Sequence, residues 1–210
     1  MHMGMKHTFK VLSSEEIESE HQRVLDDKKY GADERLLEAV LSKYPRNDDI
    51  NLVALKVALI DLTNSTQLSK YRNKIVLFDI ASIIFGIKDF DERVKNGDPQ
   101  LVNEIARATK MHNGDGYNLF SFSSKYCCYH NAIAYGGDAY SIYDGVVRDN
   151  LNKFVTDLRK SWIDKCREEF RYEEFNQVIT ELLDYNNIQI AGRRRKFDHF
   201  LWYKYRTNNE

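Results

Sequence analysis

The chain predicts an all-helical fold. Three observations carry that prediction: only two prolines, Pro45 and Pro99, interrupt 210 residues; most segments place apolar residues three and four apart; and the segments end at cap or turn signals. A chain of this length buries roughly 70% of the surface its unfolded form exposes, so a core needs neither disulfide nor metal. One helical domain over residues 5–210, with room for two lobes, is expected. Residues 1–4, MHMG, precede a second plausible start at Met5 and read as an appended scar.

Ser13 or Ser14 caps a polar helix through about residue 27, and a second helix spans 33–44, where Pro45 stops it. Residues 48–64, DDINLVALKVALIDLTN, are apolar on most sides and predict a central core helix. A short helix over 67–72 leads into KIVLFDIASIIFGIK (74–88), whose β-branched residues fit a strand but whose length and isolation favour a buried helix. The NGD turn at 96–98 ends in Asp98 and Pro99, a cap followed by proline at the first helical position, opening a helix to about Met111. HNGDG at 112–116 breaks the chain before a helix over 118–131. Asp144 precedes another, beginning GVVRDNLNKFV; residues 156–185 hold two more, and AGRRRKFDHFLWYKYR (191–206) forms the last.

A formal charge of −1 with 30% charged residues provides no overall basic field, so any nucleic-acid contact must come from a local patch. Three cysteines, Cys127, Cys128 and Cys166, are too few and too poorly spaced for a disulfide framework or a four-thiolate cluster, which fits a reducing cytoplasm. Adjacent Cys127 and Cys128 point about 100° apart on a helix, so with His130 they make a poor metal site and read as small core residues. The longest apolar run, within residues 80–87, falls well short of the roughly 20 residues that span a bilayer, so a soluble protein without a membrane partner is expected.

The chemistry-bearing pair is Lys125 and Asp144, nineteen positions apart. A lysine amine becomes a nucleophile when burial or cationic neighbours let it shed its proton near neutral pH. A carboxylate at a helix N-terminus is instead held ionised by backbone N–H groups and can stabilise a developing cation. That division of labour suits removal of a base from a nucleotide, with the sugar cation trapped as a Schiff base. The plainer alternatives stay open: Lys125 as a solvated helix lysine, and Asp144 as a simple cap for Val146 or Val147.

On these residues the chain resembles the helix-hairpin-helix DNA glycosylase superfamily, particularly its 8-oxoguanine glycosylase branch and bacterial relatives. The resemblance covers roughly residues 50–150 and, more loosely, the aromatic C-terminal helix. It implies a catalytic Lys125 and Asp144 in a helical domain with a cleft between two lobes. It also matches the NSTQ run, Asn64 to Gln67, to a segment beside the flipped nucleotide, with Gln67 bordering the gap left in the duplex. The superfamily's hairpin reads Gly-x-Gly-Thr-Lys; here Ser121 and Ser123 stand in the run before Lys125, and Gly114 and Gly116 lie earlier. The proline common before the aspartate is missing, with Ser141, Ile142 and Tyr143 there instead.

Two further features read both ways. Arg193 and Arg194, in the GRRRK run, are either phosphate contacts or a solvated charge run. Trp202 is either core or a ring that stacks on an extruded base, as the resemblance implies. The expected activity is base excision on damaged duplex DNA, glycosylase with accompanying lyase chemistry, needing no cofactor and no metal. The competing class is a binding module that keeps the fold without catalysis.

Overall fold

The computed structural model describes residues 7–64, 66, 68, 75–112 and 118–206. Eleven α-helices form the described residues, with an isolated antiparallel bridge between Phe9 and Val155 instead of a sheet. No helix among them is long and apolar enough to cross a membrane.

α1 (Ser14–Asp26) opens on a capping box, with Ser13 Oγ accepting from Glu16 N at 3.1 Å. α2 (Tyr30–Lys43) follows after a corner so tight that a Cβ at Gly31 would lie 2.1 Å from the Leu25 carbonyl oxygen, so only glycine fits. α3 (Ile50–Asn64), α4 (Leu77–Phe85), the short α5 (Phe90–Lys95) and α6 (Gln100–His112) complete the first half. The apolar stretch within 74–88 is thus helical over Leu77–Phe85, and α5 is an addition that its six residues leave without a readable period. The expected helix over 67–72 lies mostly outside the described residues.

α7 (Phe120–Tyr129) runs on into a π-helical turn, His130–Ala134. α8 (Gly145–Asn150) ends in a 3₁₀ turn, and α9 (Lys160–Glu168), α10 (Tyr172–Tyr185) and α11 (Arg193–Arg206) follow. α1 packs along α11, α3 on α4, α6 on α7, and α8 on α11. The N-terminal segment is stitched beside residues 154–156 by Lys10 N to Phe154 O and Thr156 N to Thr8 O, both 2.8 Å.

The position of central core helix differs from the sequence expectation. α3 buries Val53, Val57 and Ile60 but leaves Leu62 77% exposed, whereas nearly every residue of α7 is buried despite its polar sequence, SFSSKYCCY. Small side chains let neighbours approach α7 closely, and its hydroxyls bond back to the helix: Ser123 Oγ donates to Leu119 O at 2.8 Å and Ser124 Oγ to Ser121 O at 2.9 Å. Cys127 and Cys128 are free, buried core residues, as their spacing predicts.

Candidate functional site

Lys125 is only 6% exposed, and its Nζ lies 3.5 Å from Asp144 Oδ2. Asp144 Oδ1 accepts from Val147 N at 2.9 Å, capping α8. One carboxylate oxygen therefore fixes the group while the other faces the amine. At an effective dielectric of about 20 the attraction at this distance is on the order of 5 kcal/mol, offset by several kcal/mol of desolvation per ion. The pair is a charged arrangement held by its surroundings more than a source of stability.

Those surroundings begin one residue before each partner. Tyr143 N donates to Ser124 Oγ at 3.0 Å, tying the residue before Asp144 to the residue before Lys125. The strand-like segment leading to Asp144 is anchored further back, where Tyr172 Oη donates to Ser141 O at 2.7 Å and Asn176 Nδ2 to Ala139 O at 2.8 Å. The amine and the carboxylate meet because both backbones are clamped.

The pair lines a cavity of about 110 Å³. Tyr30 and Trp202 form part of its wall, their rings edge to face with centroids 4.2 Å apart. Asn64 and Tyr129 line it too, with the Tyr129 hydroxyl hydrogen-bonded to Asn64 Oδ1 and the Arg195 guanidinium 4.2 Å over the Tyr129 ring. Arg195 also pairs with Glu34, whose other oxygen lies 3.6 Å from His199 Nε2. Burial alone would raise the Glu34 carboxyl, but Arg195 and His199 hold it well below the usual carboxylate range. His21 shares a 2.8 Å Nδ1–Nδ1 hydrogen bond with His199 and is pushed down to about 4, by burial first and then by His199, Lys196 and Arg195.

Asp198 is a further carboxylate at the cavity. Among the described residues its buried Oδ1 has no hydrogen-bond partner, and burial, followed by the nearby Asp144 charge, raises its carboxyl far above the ordinary range, with Lys125 opposing. A carboxyl held neutral in this way can donate as well as accept. The cavity thus combines a buried amine, a carboxyl group capping a helix, an acid biased toward its neutral form and an aromatic wall. Its aromatic wall and polar lining suit a flat polar group.

The remaining sequence candidates fall elsewhere. Ser123 is fully buried against its own helix, and Ser121 lines a neighbouring recess. Arg193 is held by Asp184 at 2.5 Å and by Ile188 O at 3.1 Å; Arg194 is held by Asp138 O at 2.5 Å and Thr180 Oγ1 at 2.6 Å. These guanidiniums join α11 to α10 and to the segment before Asp144. Gln67 lies outside the described residues. Sequence reading missed Tyr30, Glu34, Asp198 and His199, although Tyr30 and Glu34 on α2, and Asp198 and Trp202 on α11, share the four-residue spacing that puts side chains on one helix face.

Residues 15–134 match the family HI_0787_N, an N-terminal domain, and the chain belongs to that family. The match runs from α1 to the π turn and includes Lys125; Asp144 and α8–α11 follow it. An uncharacterized protein of Haemophilus influenzae is 32% identical over 130 residues, 62% of this chain and 57% of the relative, so the matched part spans little more than half of that relative. No solved structure matches the chain.

Proposed function

We propose that this member of the family is a DNA base-excision enzyme with a helix-hairpin-helix glycosylase-like fold, its cavity lying in a cleft between two helical lobes. The single observation that supports the reading is the buried Lys125 amine 3.5 Å from the capping carboxylate of Asp144, both on a cavity with an aromatic wall.

In this mechanism a damaged nucleotide is extruded into the cavity, where Tyr30 or Trp202 supplies a face for the ring. As the N-glycosidic bond breaks, positive charge develops at C1′ and the Asp144 carboxylate stabilises it. The base leaves with the bonding electron pair and takes a proton from the Lys125 ammonium, and the amine so freed forms the C1′–Nζ bond. Asp144 Oδ2, already beside Nζ, is placed to receive the proton that the amine releases. Opening of the sugar gives a Schiff base, from which β-elimination nicks the strand and water regenerates the lysine.

Borohydride reduction tests this directly, because it converts the Schiff base to a stable amine. With duplex DNA carrying an abasic site or 8-oxoguanine, the wild-type chain is expected to give a covalent adduct and Lys125→Gln none, with Asp144→Asn slowed. Absence of an adduct with every lesion and strand form would move the assignment to a non-catalytic binding module.

A further inference from the structure

A second recess, of about 210 Å³, shares Asp144 with the cavity; Asn118, Ser121, Tyr143, Arg148 and Arg167 also line it. Tyr143 is 2% exposed, and among the described residues its hydroxyl has no hydrogen-bond partner. Burying a hydroxyl without a partner costs about 1–3 kcal/mol, so an oxygen retained there at that cost points to a ligand that accepts from it. The ring itself is well fixed, edge to face with Phe120 at 5.1 Å and with Phe175 at 5.3 Å.

Beside the Asp144 carboxylate, the recess holds groups that can donate: Arg148, Arg167 and Ser121. Arg148 gives its Nε to Asp164 at 2.6 Å and holds Nη1 3.9 Å from Asp149 Oδ1, which fixes a guanidinium with further N–H groups to offer. Arg167 lies 3.5 Å from Glu168 through Nη2, and its carbonyl accepts from Asn118 Nδ2 at 2.6 Å, tying α9 to the start of α7. Ser121 adds a hydroxyl in the first turn of α7, at the positive end of a ten-residue helix. The nearby acids are already engaged: Asp144 by Val147 N and Lys125, Asp164 by Arg148. Two guanidiniums, a phenol and a serine converge from separate elements, more donor directions than the two oxygens of a carboxylate can use; a tetrahedral oxyanion matches them.

We propose that this recess binds a phosphate group. If the base-excision reading holds, on which the source of the ligand rests, that group is a backbone phosphate adjoining the extruded nucleoside; free phosphate offers the same chemistry. Side-chain donors here would then do the anchoring that glycine-lined backbone does in the hairpins the chain resembles.

The test uses the whole chain with Tyr143→Phe, Arg148→Gln and Arg167→Gln. Tyr143→Phe removes an oxygen that bonds to nothing among the described residues, so it is expected to leave the fold intact and keeps the test valid if an arginine variant folds poorly. Fluorescence anisotropy with a duplex carrying a tetrahydrofuran abasic analogue, repeated across salt concentrations, is expected to show roughly tenfold weaker binding for Tyr143→Phe. Each arginine variant should lower the slope of log K against log salt by about 1. Titration with inorganic phosphate separates the two sources: binding to wild type that the variants lose, with duplex binding unaltered, supports the recess as a site for free phosphate. Unchanged duplex affinity, salt slope and phosphate binding in all three variants overturns the proposal. Failure of the excision reading registers separately, as wild-type protein that gives no borohydride adduct while phosphate binding still distinguishes the variants.

Discussion

Among the described residues two lysines are buried, and their environments differ in kind. Lys56, on α3, is completely enclosed; its Nζ donates to Arg46 O at 2.7 Å and to Asn47 Oδ1 at 2.9 Å, and burial pushes it down to about 8, with Asp91 and Asp48 opposing. Lys125, on α7, has the Asp144 carboxyl group at 3.5 Å and opens on a cavity. Lys56 satisfies carbonyl groups at a chain corner and has no route to a substrate. Lys125 faces space that a ligand can enter. Burial alone therefore does not tell the two lysines apart; a facing carboxylate and an accessible cavity do, and on the proposed reading they single out the reactive amine.

The sharpest way to break that distinction is to exchange the consequences. Lys125→Gln should lower single-turnover excision by on the order of 10³-fold or more, about 4 kcal/mol in the barrier, with little change in denaturant midpoint. Lys56→Ala should do the reverse: a loss of about 2–5 kcal/mol of stability by urea unfolding, from the cavity and the unsatisfied acceptors, with the borohydride adduct still forming on folded protein. Equal effects of both substitutions on chemistry would dissolve the comparison.

Ser124→Ala sharpens it further. Tyr143 N loses its buried acceptor, costing about 1–3 kcal/mol, and the clamp that sets the Lys125–Asp144 spacing loosens. The expected signature is a fall in kcat larger than the change in KM, because positioning for the chemical step is affected more than substrate binding. A purely structural role would alter stability alone.

The smallest effect is in pH dependence. Lys56 titrates near 8 when folded and at its ordinary 10.5 when unfolded, so between those values the unfolded chain binds more protons. Its contribution to stability therefore rises with pH across that window, by up to about 1.4 kcal/mol per pH unit. The unfolding free energy of Lys56→Met, measured over pH 8–10, should lack that slope.

Much of the helical framework was legible because it rests on local chemistry. Ser13 with Glu16, Asp98 with Pro99, and Asp144 before Gly145 mark helix starts through caps that act within one turn. The candidate pair was legible for the same reason, together with the resemblance that motivated it. The burial of α7 was not, because serine and cysteine carry little hydropathy and bury here through close packing and bonds to their own backbone. Glu34, Asp198 and His199 were hidden by distance: α2 and α11 lie at opposite ends of the chain, and only their packing through α1 and the Arg195–Glu34 pair brings them to one cavity. Arg193 and Arg194 illustrate the converse. A basic run that reads as a phosphate patch finds Asp138, Asp184 and Thr180 within the protein, and no local signal announces those partners.

The central claim is that one particular buried amine is the nucleophile. After borohydride reduction with an abasic-site duplex, nuclease trimming and proteolysis, mass mapping is predicted to place the deoxyribose-derived adduct on the peptide containing Lys125 and to leave the Lys56 peptide unmodified. An adduct spread over exposed lysines, or confined to any residue other than Lys125, would contradict the account.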